Sequence, residues 1–142
     1  MSFLPPIDEI HPLFVHFPIA LYTTAFLWDT LGFIRKDKAL SSAGWWNMIL
    51  AQVSAVATGI TGFLADSLVG HMEKPFPIWS THGSVQIFTF LWMIGIFGYR
   101  WKKLRKFPVT GSIPWGYLLS FGIGILLLFY GSHLGAKLAN RI

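Results

Sequence analysis

No cysteine occurs among the 142 residues, which excludes structural disulfides, thiolate metal sites, iron-sulfur ligation and covalently attached c-type haem. Any inorganic chemistry must therefore use imidazole, carboxylate or thioether groups. Charge is equally scarce: 12% of the residues are Asp, Glu, Lys or Arg, about half the share in a typical soluble domain, and only six are acidic. What fills the chain instead is hydrocarbon, with 54% hydrophobic and 17% aromatic residues.

That apolar material is gathered into four runs, about residues 13–34, 44–70, 79–99 and 113–136. Each reaches the roughly 20 residues that a helix needs to cross a bilayer. The runs are continuous, whereas barrel strands are about 10 residues long and alternate polar with apolar. The expectation is an all-α integral membrane protein, a four-helix up-and-down bundle forming one domain over residues 1–142. The first run is expected to stay in the mature protein rather than act as a secretory signal: no Lys or Arg precedes it, it is too long for an h-region, and no small-residue cleavage site follows.

The net charge of +5 follows topology rather than nucleic-acid binding. Arg35, Lys36 and Lys38 stand between spans one and two, and Arg100, Lys102, Lys103, Arg105 and Lys106 between spans three and four. In an up-and-down bundle these connections share a side, which the positive-inside rule makes cytoplasmic. Both termini are then outside, N-out and C-out in a cytoplasmic (inner) membrane, with the cationic loops against anionic lipid heads. Trp45, Trp46, Trp101 and Trp115 mark the inner interface and Trp79 the outer one.

Pro12 is expected to open the first helix, because its missing N–H would be unsatisfied there in any case. Pro18 lies inside that helix and frees the carbonyl of Phe14. Small residues recur at four-residue spacing on span two (Ser54, Thr58, Gly62, Asp66) and span four (Gly116, Ser120, Gly124, then Gly131 and Gly135). Such faces allow close helix packing, or leave room for a flat cofactor.

With this topology all five histidines, His11, His16, His71, His82 and His133, fall in the outer half. His16, His82 and His133 lie about a turn inside the boundary, while His11 and His71 are nearer the headgroups. Neutral imidazole suits a low-dielectric site and ligates haem iron without cysteine. His16 and His82 are the first-choice axial pair for haem b, with His11 and His133 as a second pair or as propionate partners. A divalent metal at His16, His82, His133 and Asp66 is the alternative ligand set. A third option makes the imidazoles quinol-binding or proton-relay groups. Gln86 shares the face of His82, and Asp29, beside Thr30, is expected to make a structural hydrogen bond.

The stretch HPLFVHFPIAL closely resembles the opening signature of a bacterial family of small membrane proteins, domain of unknown function 2231. ATGITGFLAD (57–66), STHGSVQIF (80–88) and GSHLG (131–135) extend the resemblance across nearly the whole chain. Members typically have four spans and occur with redox modules such as cytochrome c or Rieske-type domains. The resemblance implies a b-type haem or other redox role and picks out His11, His16, Asp66, His82 and His133.

Together these readings suggest an electron-transfer subunit rather than a stand-alone enzyme. It would exchange electrons between quinone or a membrane partner and a periplasmic cytochrome c or Rieske-type acceptor, as a homo-oligomer or within a larger complex. The competing readings are another metal-binding or transport protein, or a cofactor-free structural subunit of a membrane respiratory complex.

Overall fold

A computed structural model describes residues 7–69, 77–104 and 113–138, with side chains from residue 10 to 66 in the first of these segments. The described residues form four long helices and no strand: α1 (Ile7–Arg35), α2 (Lys38–Val69), α3 (His82–Lys103) and α4 (Trp115–Leu138). Three segments are long and apolar enough to cross a membrane: Ile10–Arg35, Lys38–Asp66 and Trp115–Leu138. At 22 residues α3 reaches about 33 Å, but Gln86, Arg100, Lys102 and Lys103 dilute its apolar content.

The helix ends differ from the sequence expectation in three places. First, α1 begins at Ile7, so Pro12 is internal. Proline's fixed φ is helical, and the helix runs through it at the loss of one backbone bond near its end. Second, the polar stretch after α1 shrinks to Lys36 and Asp37, and Lys38 already belongs to α2. Lys36 adopts φ +52°, a left-handed helix cap, and the Asp37 N–H donates to the Gly32 carbonyl at 2.9 Å. The Asp37 carboxylate accepts from the N–H groups of Ala39 and Leu40 at 2.8 and 3.2 Å, capping α2. A side chain at Gly32 would come within 2.7 Å of the Ser41 backbone, so glycine is what lets the two helices meet this closely. Third, Trp79 sits in a short 3₁₀ turn, Ile78–Ser80, and extended Thr81 delays α3 to His82.

The helices pair as two hairpins, α1 with α2 and α3 with α4. The hairpins meet chiefly through α1 and α4, while α2 touches α3 much less. Tyr22, Ala25, Met48, Ala51, Met93, Phe121 and Leu128 lie in the shared core. Facing outward are Leu27, Leu50, Val53, Ile60, Phe63, Leu91, Leu119 and Leu126. Such an apolar exterior suits hydrocarbon as the surrounding solvent.

Small residues on α4 serve as sockets for α3. A methyl group added at Gly124 would sit 2.7 Å from the Met93 sulfur, and one at Gly131 would sit 2.8 Å from the Gln86 amide. On α2, Thr58 Oγ1 donates to the Phe14 carbonyl at 3.1 Å, the acceptor that Pro18 leaves without its helical partner. The same hydroxyl also faces the Ser54 carbonyl at 2.9 Å. Thr58→Val is therefore expected to cost about 1–2 kcal/mol by leaving that carbonyl unsatisfied. In a Pro18→Ala background the loss should shrink, since residue 18 regains an N–H; unfolding in mixed detergent micelles measures both.

Candidate functional site

Two polar centres interrupt the apolar interior, one at each end of the bundle. The outer centre joins His11 of α1 to His82 of α3, rings close enough for their charges to interact. Each ring is held by its own hairpin. His82 Nδ1 lies 2.6 Å from the Gly131 carbonyl, and a methyl at Gly135 would come within 2.7 Å of the same ring. His11 Nδ1 lies 3.2 Å from Thr61 Oγ1, has the Thr58 carbonyl as a backbone partner, and packs on Gly62 at 3.0 Å from a notional methyl.

These partners fix the tautomers. A carbonyl can only accept, so His82 Nδ1 must carry the hydrogen. The Thr61 hydroxyl donates to the Thr58 carbonyl at 3.0 Å and is left to accept from His11 Nδ1. A neutral ring held in this way bears its lone pair on Nε2, where it can bind a metal or a proton. A metal-ligating histidine is commonly oriented through its other nitrogen in this way.

His16 is exposed, with Nδ1 donating back to the Pro12 carbonyl at 2.7 Å within its own helix. His133 is exposed on α4, and Asp66 Oδ1 is buried without a hydrogen-bond partner among the described residues. His71 lies outside the described residues. No three His, Cys, Asp or Glu side chains among the described residues gather to hold a metal ion, so His16, His82, His133 and Asp66 are not assembled as one set. The expected layer of five rings becomes, among the described residues, an interacting pair with two exposed neighbours.

The inner centre was only half visible in the sequence. Asp29 is fully buried and Arg100 is 2% exposed, so Arg100 is not a loop cation but a core residue of α3. Arg100 Nε and Nη2 donate to the two Asp29 oxygens at 3.1 and 3.2 Å. Nη2 also donates to the Ser41 carbonyl and hydroxyl at 3.2 and 3.0 Å, and Nη1 to the Leu104 carbonyl. The Tyr117 hydroxyl completes Asp29 at 2.5 Å. Phe33 and Trp45 cover the guanidinium at 5.2 and 5.6 Å. Gly44 provides the space for Asp29, because any side chain there would collide with the carboxylate. Thr30, the expected neighbour, is not involved, and its hydroxyl is buried without a hydrogen-bond partner among the described residues. The signal for this cluster was an opposite charge at matching depth on another span; the lysines that follow Arg100 concealed it.

An all-helical bundle with an apolar exterior and buried, paired charges defines a membrane protein. The family model described as "predicted membrane protein (DUF2231)" matches residues 8–142, and the chain belongs to that family. No curated protein and no solved structure matches it.

Removing either partner of the inner ion pair strands the other charge. Asp29→Ala or Arg100→Met should each cost about 3–5 kcal/mol. The Asp29→Asn/Arg100→Met double variant should cost less than the sum of its single variants, as read by a double-mutant cycle on thermal unfolding in detergent.

Proposed function

We propose that this is a four-span protein of a cytoplasmic membrane, with both termini outside, that binds haem b between His11 and His82. It would exchange electrons between quinone or a membrane partner and a periplasmic acceptor of the cytochrome c or Rieske type. The observation that carries the reading is the pair of imidazoles, each with Nδ1 engaged by a hydrogen-bond partner and Nε2 left without one among the described residues. Two such nitrogens would hold a haem iron, whereas a tetrahedral structural metal site requires further ligands that this pair lacks. Haem, when bound, supplies the one-electron chemistry; the protein's part is to hold and orient the imidazoles and to surround them with hydrocarbon.

The first ligand is thus moved from His16 to His11. His16 spends its Nδ1–H on its own helix and is exposed, while His11 interacts with His82. The inner-side placement of the α1–α2 turn follows from Arg35, Lys36 and Lys38, all exposed beside it.

Protein purified in detergent from haem-replete cells should be red, with a reduced-minus-oxidised b-type spectrum. That spectrum should be lost or become high-spin in His11→Ala and His82→Ala and persist in His16→Ala and His133→Ala. A colourless wild-type preparation would refute haem binding. Topology is read separately: a single cysteine replacing exposed Ser42 should react with an impermeant maleimide only after the membrane is opened. Labelling in intact spheroplasts would reverse the orientation.

A further inference from the structure

His11 and Asp29 are 18 residues apart on α1, and His82 and Arg100 are 18 residues apart on α3. A shift of 71 positions therefore superimposes both chemical landmarks of one helix on those of the other. The same shift carries buried Tyr22 onto Met93, Ala25 onto Ile96 and Phe33 onto Leu104, each buried in turn. A shared three-four packing period would align apolar positions alone. It gives no reason for histidine to recur at the outer end or for a buried charge to recur at the inner one.

The second helices of the hairpins supply an independent register. A shift of 73 carries Gly62, the socket for His11, onto Gly135, the socket for His82. It also carries Thr58, whose carbonyl partners the His11 ring, onto Gly131, whose carbonyl partners the His82 ring. At the inner end it carries Gly44, which packs on Asp29, onto Tyr117, which interacts with Arg100, the equivalent of Asp29. Both hairpins run in the same direction, so the operation that relates them approximates a two-fold rotation about an axis along the bundle, departing from it in that α1 packs on α4 more closely than α3 packs on α2. A residue that faces its own equivalent must lie near that axis: Asp29 does so in its ion pair with Arg100, and at the other end His11 is within electrostatic reach of His82.

We infer that the chain is one helical hairpin used twice, and that the outer imidazole pair is a single shared site on the axis, holding one ligand through two equivalent Nε2 atoms. Resting on the haem reading above, the ligand class is a planar macrocycle whose metal offers two equivalent axial positions. The inner pair shows how equivalence was broken. Identical halves would bring two carboxylates or two guanidiniums together on the axis, whereas Asp29 and Arg100 attract, so each half complements the other rather than a copy of itself.

The test is a ferric haem titration of the full chain in detergent, followed by absorbance. Saturation at one haem per chain with a six-coordinate low-spin spectrum is expected. His11→Gly and His82→Gly should each give a five-coordinate high-spin complex with matching loss of affinity, and added imidazole should restore the low-spin form in both. His11→Met and His82→Met, which retain a ligand and most of the volume, should both stay six-coordinate, with reduction potentials raised alike. Circular dichroism melting confirms that the compared variants are folded. Two haems per chain, or loss of the low-spin form in one variant of a pair only, would overturn the shared axial site while leaving haem binding intact. Failure of the wild type to take up haem would overturn the haem reading and the ligand class that depends on it.

Discussion

Everything in this bundle is arranged around one buried contact, the ion pair between Asp29 and Arg100. Within a membrane the lipid tails are as apolar as leucine, so helices gain little by hiding apolar faces from them. Close packing and polar bonds must define the arrangement instead. Here one set of polar bonds joins all four helices: Asp29 from α1, Ser41 from α2, Arg100 from α3 and Tyr117 from α4. Both Asp29 oxygens and all three Arg100 nitrogens have partners. That completeness is the condition under which two charges can remain buried, since an unpaired one would carry a desolvation penalty of several kcal/mol. The cluster therefore fixes which helices are neighbours and at what height they meet.

Around that point the glycines act by absence. Gly32 brings α1 against the start of α2, Gly44 makes room for the carboxylate, and Gly62 and Gly135 receive the two imidazoles. The small-residue faces are thus occupied largely by side chains of neighbouring helices. In a bundle held by packing and a few polar bonds, such sockets set the spacing at which those bonds can form.

The four helices were legible because lipid imposes a simple demand, about 20 apolar residues and no backbone group left unpaired; three of them carry a segment apolar enough to cross a membrane, and α3, with Arg100, Lys102 and Lys103, falls short. The effect of Pro18 was legible for the same reason, and the freed Phe14 carbonyl is met by Thr58 across the helix pair. What could not be read was partnership. Arg100 lies close to Lys102 and Lys103 in sequence, and only the fold distinguishes a buried guanidinium from an exposed cationic tail. Likewise, spacing alone put His16 a turn deeper than His11 and so made it the better candidate. The extra turns of α1 before Pro12 place His11 within a continuous helix, beside Thr61 and Gly62, and leave His16 on an exposed face. Depth along a helix was predictable; direction around it was not.

The turn at Lys36 and Asp37 gives the bundle the mechanics of a pair of tongs. A left-handed cap, a bond back to Gly32 and an Asp cap on α2 leave no slack where the first two helices join. At the same level the ion pair ties the third helix to the first, and the Tyr117 hydroxyl ties the fourth. Relative movement of the helices about that clamp is magnified with distance from it. Some 36 Å separates Arg35 from His11 along α1, so a tilt of about 3° at the turn moves the imidazole by about 2 Å. The rigid end is the fulcrum, and the histidines ride on the long arms.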